Sequence, residues 1–274
     1  MRALLSVLAF ITLPCLAQSP VTTSSDGVPI HFTTLGQGEP ALIFVHGWTL
    51  NGTFWEQQLG HFAERYQVVA VDLAGHGESG IDRDQWTMAA FGGDVAAVVD
   101  DLGLDRVVLI GHSMGGAVVL EAARRLGGRV DGLVFVDSFF DPDNESPEEE
   151  EKEIVELFRA DFRGNVDSMS KQYFFTADAD SLLKDRIANH MSSFDPNIGV
   201  AAITELFAYK DWEVIGEMDV PMAAINANMY PTNVERLYEY GVEPYIMEGV
   251  GHFLMMEKPE EFNRILEEAV QELD

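Results

Sequence analysis

A serine between small residues, a histidine in a glycine-bounded loop far downstream, and carboxylates spread between them are the parts from which acyl transfer can be built. The serine is Ser113, in Gly111-His112-Ser113-Met114-Gly115, followed by Gly116. It comes directly after the β-branched run Val107-Val108-Leu109-Ile110 and directly before a helical pattern. A G-x-S-x-G spacing in that setting describes a strand–turn–helix so tight that small residues must flank the serine, and it lifts the hydroxyl clear of the sheet with a helix N-terminus behind it. A hydroxyl is a weak nucleophile unless a base takes its proton. The candidate base is His252, in Gly249-Val250-Gly251-His252, after the last predicted strand. Of the other histidines, His46, His76 and His112 lie in glycine-rich segments that they are expected to shape, and His31, His61 and His190 lie in no motif. No cluster of histidine and acid has metal-ligand spacing, so no metal and no cofactor is expected.

These residues need a frame that brings distant loops to one edge. The runs VPIHFTTLG, EPALIFVHG, YQVVAVDL, RVVLIG and DGLVFVD read as strands, and the later ones are continuous apolar runs suited to strands buried on both faces of a parallel sheet. Between them, WTMAAFGGDVAAVVDDLG and GGAVVLEAARRLGG read as helices ending at glycine. Strand–helix–strand alternation predicts an α/β, doubly wound sheet, whose loops at the strand carboxyl ends meet on one rim. After Asp137 the rhythm changes. Residues 141–153 are acidic and open a helix, and residues 154–212 are expected to be wholly helical and rich in aromatics. The sheet resumes at VPMAAINANM and VEPYIMEG, and PEEFNRILEEAVQEL closes the chain as an amphipathic helix.

From about residue 28 onward the chain resembles the α/β-hydrolase superfamily, in its esterase-like branch with a helical cap. The resemblance rests on Phe44-Val45-His46-Gly47-Trp48, Asp72-Leu73-Ala74-Gly75-His76-Gly77-Glu78-Ser79, the Ser113 motif and Gly249-Val250-Gly251-His252, in that order. It implies an α/β-hydrolase fold: a mostly parallel central sheet flanked by helices, with an inserted cap. It implies Ser113 as nucleophile and His252 as base, with an oxyanion hole made by the backbone N–H groups of Met114 and Trp48. The third member of the triad is less direct. In many relatives an acid follows the strand that PMAAINANM resembles, and here Tyr230 stands at that place. A neutral phenol cannot stabilise an imidazolium as a carboxylate does. Some members of the superfamily carry the acid one strand earlier, which implies Asp137 at the end of DGLVFVD; Asn228, Glu235 and Asp141 remain alternatives. Phe139 and Phe140, beside Asp137, are candidate substrate-binding residues under the cap.

The chain has 274 residues, enough for one sizeable core, and its formal net charge is −29, with 46 acidic against 17 basic side chains. Nucleic acid and anionic membranes would be repelled by such a surface. Its acidity fits a saline habitat or an ordinary acidic exported protein. Arg2, the apolar stretch from Ala3 to Leu13 and Cys15-Leu16-Ala17 predict a secretory signal cut near Ala17; a lipid anchor at Cys15 is the alternative, disfavoured by Thr12-Leu13-Pro14. The expected plan is therefore a signal over residues 1–17, core over 18–140, cap over 141–212 and core again over 213–274, in a monomeric exported protein. The expected activity is hydrolysis of small to medium apolar carboxylic esters through an acyl-enzyme. The rivals are other chemistry on the same residues (C–C bond hydrolysis, lactone opening or perhydrolysis) and a non-catalytic ligand-binding member of the fold.

Overall fold

The computed structural model describes residues 20–141, 143 and 147–273. The predicted signal segment and Cys15 lie outside the described residues. The chain opens with β1 (Val21–Thr23), β2 (Pro29–Leu35) and β3 (Ala41–Val45), then α1 (Glu56–Phe62) and β4 (Val68–Val71). Next come α2 (Met88–Asp101), β5 (Val107–His112), α3 (Met114–Leu126) and β6 (Val130–Val136). A helical stretch follows: α4 (Glu148–Ala160), α5 (Phe162–Tyr173), α6 (Ser181–Ser192), α7 (Pro196–Phe207) and α8 (Asp211–Ile215). The chain then returns to the sheet with β7 (Met222–Ala227), α9 (Val234–Glu239), β8 (Val242–Met247), α10 (Leu254–Glu257) and α11 (Pro259–Glu272).

The strands form one sheet in the order β1-β2-β4-β3-β5-β6-β7-β8. The pairs β1–β2 and β2–β4 are antiparallel, and every pair from β4–β3 to β7–β8 is parallel. The continuous apolar runs are explained by position. Every residue of β3, β4, β5 and β7 is buried, because helices cover both faces. Since β3, β5, β6, β7 and β8 run in the same direction, the loops that carry Trp48, Ser113, Asp137, Asn228 and His252 all emerge from one rim of the sheet.

Some elements depart from the sequence reading. The polar lead-in contains the short edge strand β1, whose alternating exposure leaves Thr22 alone facing inward. Glu235, an alternative for the third triad member, stands in the first turn of α9, where the Asn233 side chain caps the helix by accepting from the Arg236 N–H. The helical stretch between β6 and β7 runs to Ile215, past the expected limit at residue 212, because α8 closes against α3 before the chain turns into β7.

Candidate active site

The turn at Ser113 is as tight as its sequence requires. Ser113 has φ 53° and ψ −122°, and its N–H donates to Val136 O at 3.0 Å. A Cβ on Gly111 would lie 2.2 Å from Gly115 O, and one on Gly115 would lie 2.6 Å from Val45 O. Both obstacles are main chain and cannot swing away, so glycine is obligatory at each position. α3 begins at Met114, directly behind the serine, so the positive end of the helix lies at the turn, and its Gly116 N–H donates to Ser113 O at 2.8 Å.

His252 is held from several sides. Its Nδ1 lies 2.6 Å from Asp137 Oδ2, and the other carboxyl oxygen of Asp137 accepts from Ala227 N–H at 2.7 Å. Asp137 is only 2 % exposed and has φ 48°, a conformation fixed partly by its N–H donating to Ile225 O at 2.9 Å. The main chain of His252 is fixed as well. Its N–H donates to Phe174 O at 2.8 Å, and its carbonyl accepts from the His112 ring Nε2–H at 2.8 Å. The rings of Phe174 and His112 each lie 4.6 Å from the imidazole, centroid to centroid. Just before it, Gly251 N–H donates to Glu257 Oε1 at 2.9 Å. Burial raises the Glu257 carboxyl above its usual range, against the pull of the two main-chain N–H groups it accepts and of His252.

Ser113, Asp137 and His252 line one cavity of about 1030 Å³. Met114, Phe139, Phe140 and Asp141 line it too, and α4, α7 and the approach to α8 complete its wall. The helical stretch between β6 and β7 thus lies over the rim that carries the three residues.

The alternatives for the third member have other partners. Asn228 Oδ1 accepts from Gly249 N–H at 3.1 Å, bracing the histidine loop by its main chain. Asp141 accepts from the Asn233 side chain at 3.1 Å. Tyr230 reaches the cavity but donates its hydroxyl to Tyr173 O at 2.9 Å; burial first, and the nearby negative charge of Asp137 second, push its phenol up and keep it neutral. The carboxylate against the His252 ring is that of Asp137.

Trp48 follows β3 at the same rim, but its ring is absorbed in packing. The indole N–H donates to Gly199 O at 2.8 Å, and the ring stacks on Phe158 at 5.2 Å, riveting the β3 loop to the helices above. The three motif histidines shape loops. His46 Nδ1 pairs with Gly47 O at 2.8 Å while its Nε2 accepts from Leu73 N–H at 3.1 Å, and His76 Nδ1 pairs with Ala74 O at 3.0 Å. Burial pushes them down to about 4 and about 3. The supporting roles of Glu257 and Phe174 carried no signal in the sequence: both depend on contacts between segments far apart in the chain.

Comparison with known proteins identifies the family. The alpha/beta hydrolase family profile matches residues 42–265. Over 119 residues the chain is 41 % identical to a non-heme haloperoxidase of Rhodococcus erythropolis, an alignment covering 43 % of either chain. The chain therefore spans less than half the length of that curated relative. A thermophilic esterase from Thermogutta terrifontis superposes with a TM-score of 0.81 at 25 % identity, over 94 % of this chain and 99 % of that one. An esterase from Exiguobacterium antarcticum superposes at 0.83 with 20 % identity, over 93 % and 100 %, which speaks to the fold alone. With a serine turn, a histidine loop and a parallel sheet that places both on one rim, and a family profile matched across most of its length, this chain belongs to the alpha/beta hydrolase family.

Proposed function

We propose that the protein hydrolyses carboxylic esters of small to medium apolar substrates by a serine-dependent, acyl-enzyme mechanism. The observation that carries this reading is the 2.6 Å pairing of His252 with buried Asp137 inside the cavity that Ser113 lines. In the first half-reaction Ser113 Oγ attacks the ester carbonyl carbon and passes its proton to His252 Nε2. Asp137 holds the ring in the tautomer with Nδ1–H and stabilises the imidazolium that forms. The negative oxygen of the tetrahedral intermediate sits against the N–H groups of Met114 and Trp48, where fixed dipoles act without reorganising. His252 then protonates the departing alcohol. In the second half-reaction water adds to the acyl carbon by the same route, and the acid leaves as Ser113 recovers its proton.

The helices α4 to α8 form a cap that screens the chemistry from bulk water, with Phe139 and Phe140 contacting substrate. The protein is a monomer exported after cleavage near Ala17, and its acidity keeps nucleic acid and anionic membranes away. A second reading comes from the relative named a haloperoxidase: peroxide in place of water at the acyl-enzyme would release a peracid from the same residues. Ser113→Ala decides the main reading. It is expected to abolish turnover of p-nitrophenyl acetate and labelling by a fluorophosphonate probe while leaving the melting temperature in place. Retained turnover or retained labelling would overturn it.

A further inference from the structure

The cavity has a direction as well as a volume. Ser113, Ala117 and Glu121 are spaced four residues apart along the start and body of α3, so they share one face of the helix. Ala117 lines the cavity with Ser113 and Met114 and, at 2 % exposure, presents only a small part of its methyl group to it. At the far end Glu121 is buried and accepts from the Tyr209 hydroxyl at 2.8 Å, and the ring of Tyr209 forms part of the cavity wall. Glu121 is held in turn by Arg124 at 3.1 Å, so the phenol is anchored at a fixed place. A corridor therefore starts at the nucleophile, passes over a methyl group and stops at a tethered tyrosine. The helix rise of about 1.5 Å per residue puts Ala117 about 6 Å and Glu121 about 12 Å from Ser113 along its axis.

The chemistry decides which half of an ester occupies this corridor. The leaving oxygen must take a proton from His252, so the alcohol lies on the His252 side of Ser113, where Tyr230 and Pro231 form the wall. The acyl chain extends the other way, along α3, between side walls supplied by Phe139, Phe207 and Trp212. These three rings favour burial of methylene groups on their side, while the α4 side of the same cavity carries Glu148, Glu151, Lys152 and Glu156.

We infer that this face of α3 measures the acyl chain: Ala117 leaves room for a linear chain, the Tyr209–Glu121 pair ends it, and the preferred substrates are esters of linear medium-chain acids of roughly eight to ten carbons, the length that fits about 12 Å of helix. This inference rests on the hydrolase reading above and goes beyond it in naming the acyl class and the two residues that set it.

The test is a series of p-nitrophenyl esters from acetate to palmitate, followed as kcat/KM against chain length in the wild type, Ala117→Leu and Tyr209→Ala. The wild type is expected to peak at octanoate or decanoate. Ala117 is 2 % exposed, so the melting temperature of Ala117→Leu is measured beside its kinetics; the folded variant is expected to lower the octanoate-to-acetate ratio at least about tenfold, since single methylenes in apolar pockets discriminate on that scale. Tyr209→Ala is expected to move the peak to longer chains. A wild-type peak at acetate, or an octanoate-to-acetate ratio unmoved in folded Ala117→Leu, would overturn the ruler, and the wild-type profile decides alone if neither variant folds. If the wild type turns over no ester and Ser113 takes no fluorophosphonate label, the hydrolase reading itself fails, an outcome distinct from active enzyme with an unmoved profile.

Discussion

Asp137 sits at a positive φ that an L-residue adopts only when its surroundings insist, at a cost of order 1 kcal/mol. The insistence is visible. Its N–H is bound to β7, one carboxyl oxygen is bound to β7, and the other faces His252. The two oxygens do different work: Oδ1 fixes the side chain and Oδ2 supplies the charge. Asp137→Asn separates them. The amide can keep the bond to Ala227 N–H, but against the ring it either presents N–H groups or favours the wrong tautomer. It is expected to lower kcat/KM for an aryl ester by roughly three to four orders of magnitude with little change in melting temperature. A loss of less than tenfold, or an equal loss on changing Asn228 alone, would remove Asp137 from the mechanism. At this scale the sequence was informative where chemistry dictates residue type. A serine between glycines and a histidine after the last strand are recognisable alone. Asp137 became a candidate acid only through the superfamily resemblance, because an aspartate at a strand end has many ordinary uses.

The elements were legible in proportion to how strongly one periodicity ruled them. β3, β4, β5 and β7 are buried along their whole length, so they appear as unbroken apolar runs that no surface strand would show. α2 and α3 have full helical patterns and glycine near their ends. β1, α1 and α10 were not legible: each is too short for a pattern to outweigh its neighbours, and each is kept in place by tertiary contacts. The same reasoning marks where a small change does most harm. Gly115 packs against the carbonyl of Val45 at the crossing of α3 and β3, and Gly115→Ala would put a methyl carbon 2.6 Å from that main-chain oxygen. Overpacking of this kind costs about 1–3 kcal/mol. A lower urea midpoint than wild type, together with slower fluorophosphonate labelling of Ser113, is the expected result. Unchanged values of both would mean that the elbow has slack that the geometry denies.

Across the whole molecule, neutral imidazoles packed beneath the rim couple stability to pH. His46 and His76 are fully buried, and burial holds them down to about 4 and about 3, whereas in the unfolded chain they return to about 6.5. The unfolded state therefore binds more protons between those values. Stability is fully present above about pH 6.5 and is lost as pH falls towards about 4, on the order of 3 kcal/mol for His46 alone. Urea midpoints at fixed salt should be flat from pH 8 to pH 7 and decline below 6.5, before most carboxylates begin to titrate. A midpoint that stays level down to pH 5 would show that these rings reach water in the native state. Most of this arrangement spans the join between the sheet and the overlying helices, where Trp48 is bonded to α7 and the His76 ring lies 4.6 Å from that of Phe194. The bond from His252 N–H to Phe174 O crosses the same join. Lifting the α5–α6 corner to admit a bulky guest would have to snap that tether or drag His252 along with it. If His252 acts as proposed, a gaping molecule is thus a disarmed one, because the same main-chain bond ties the overlying corner to the imidazole.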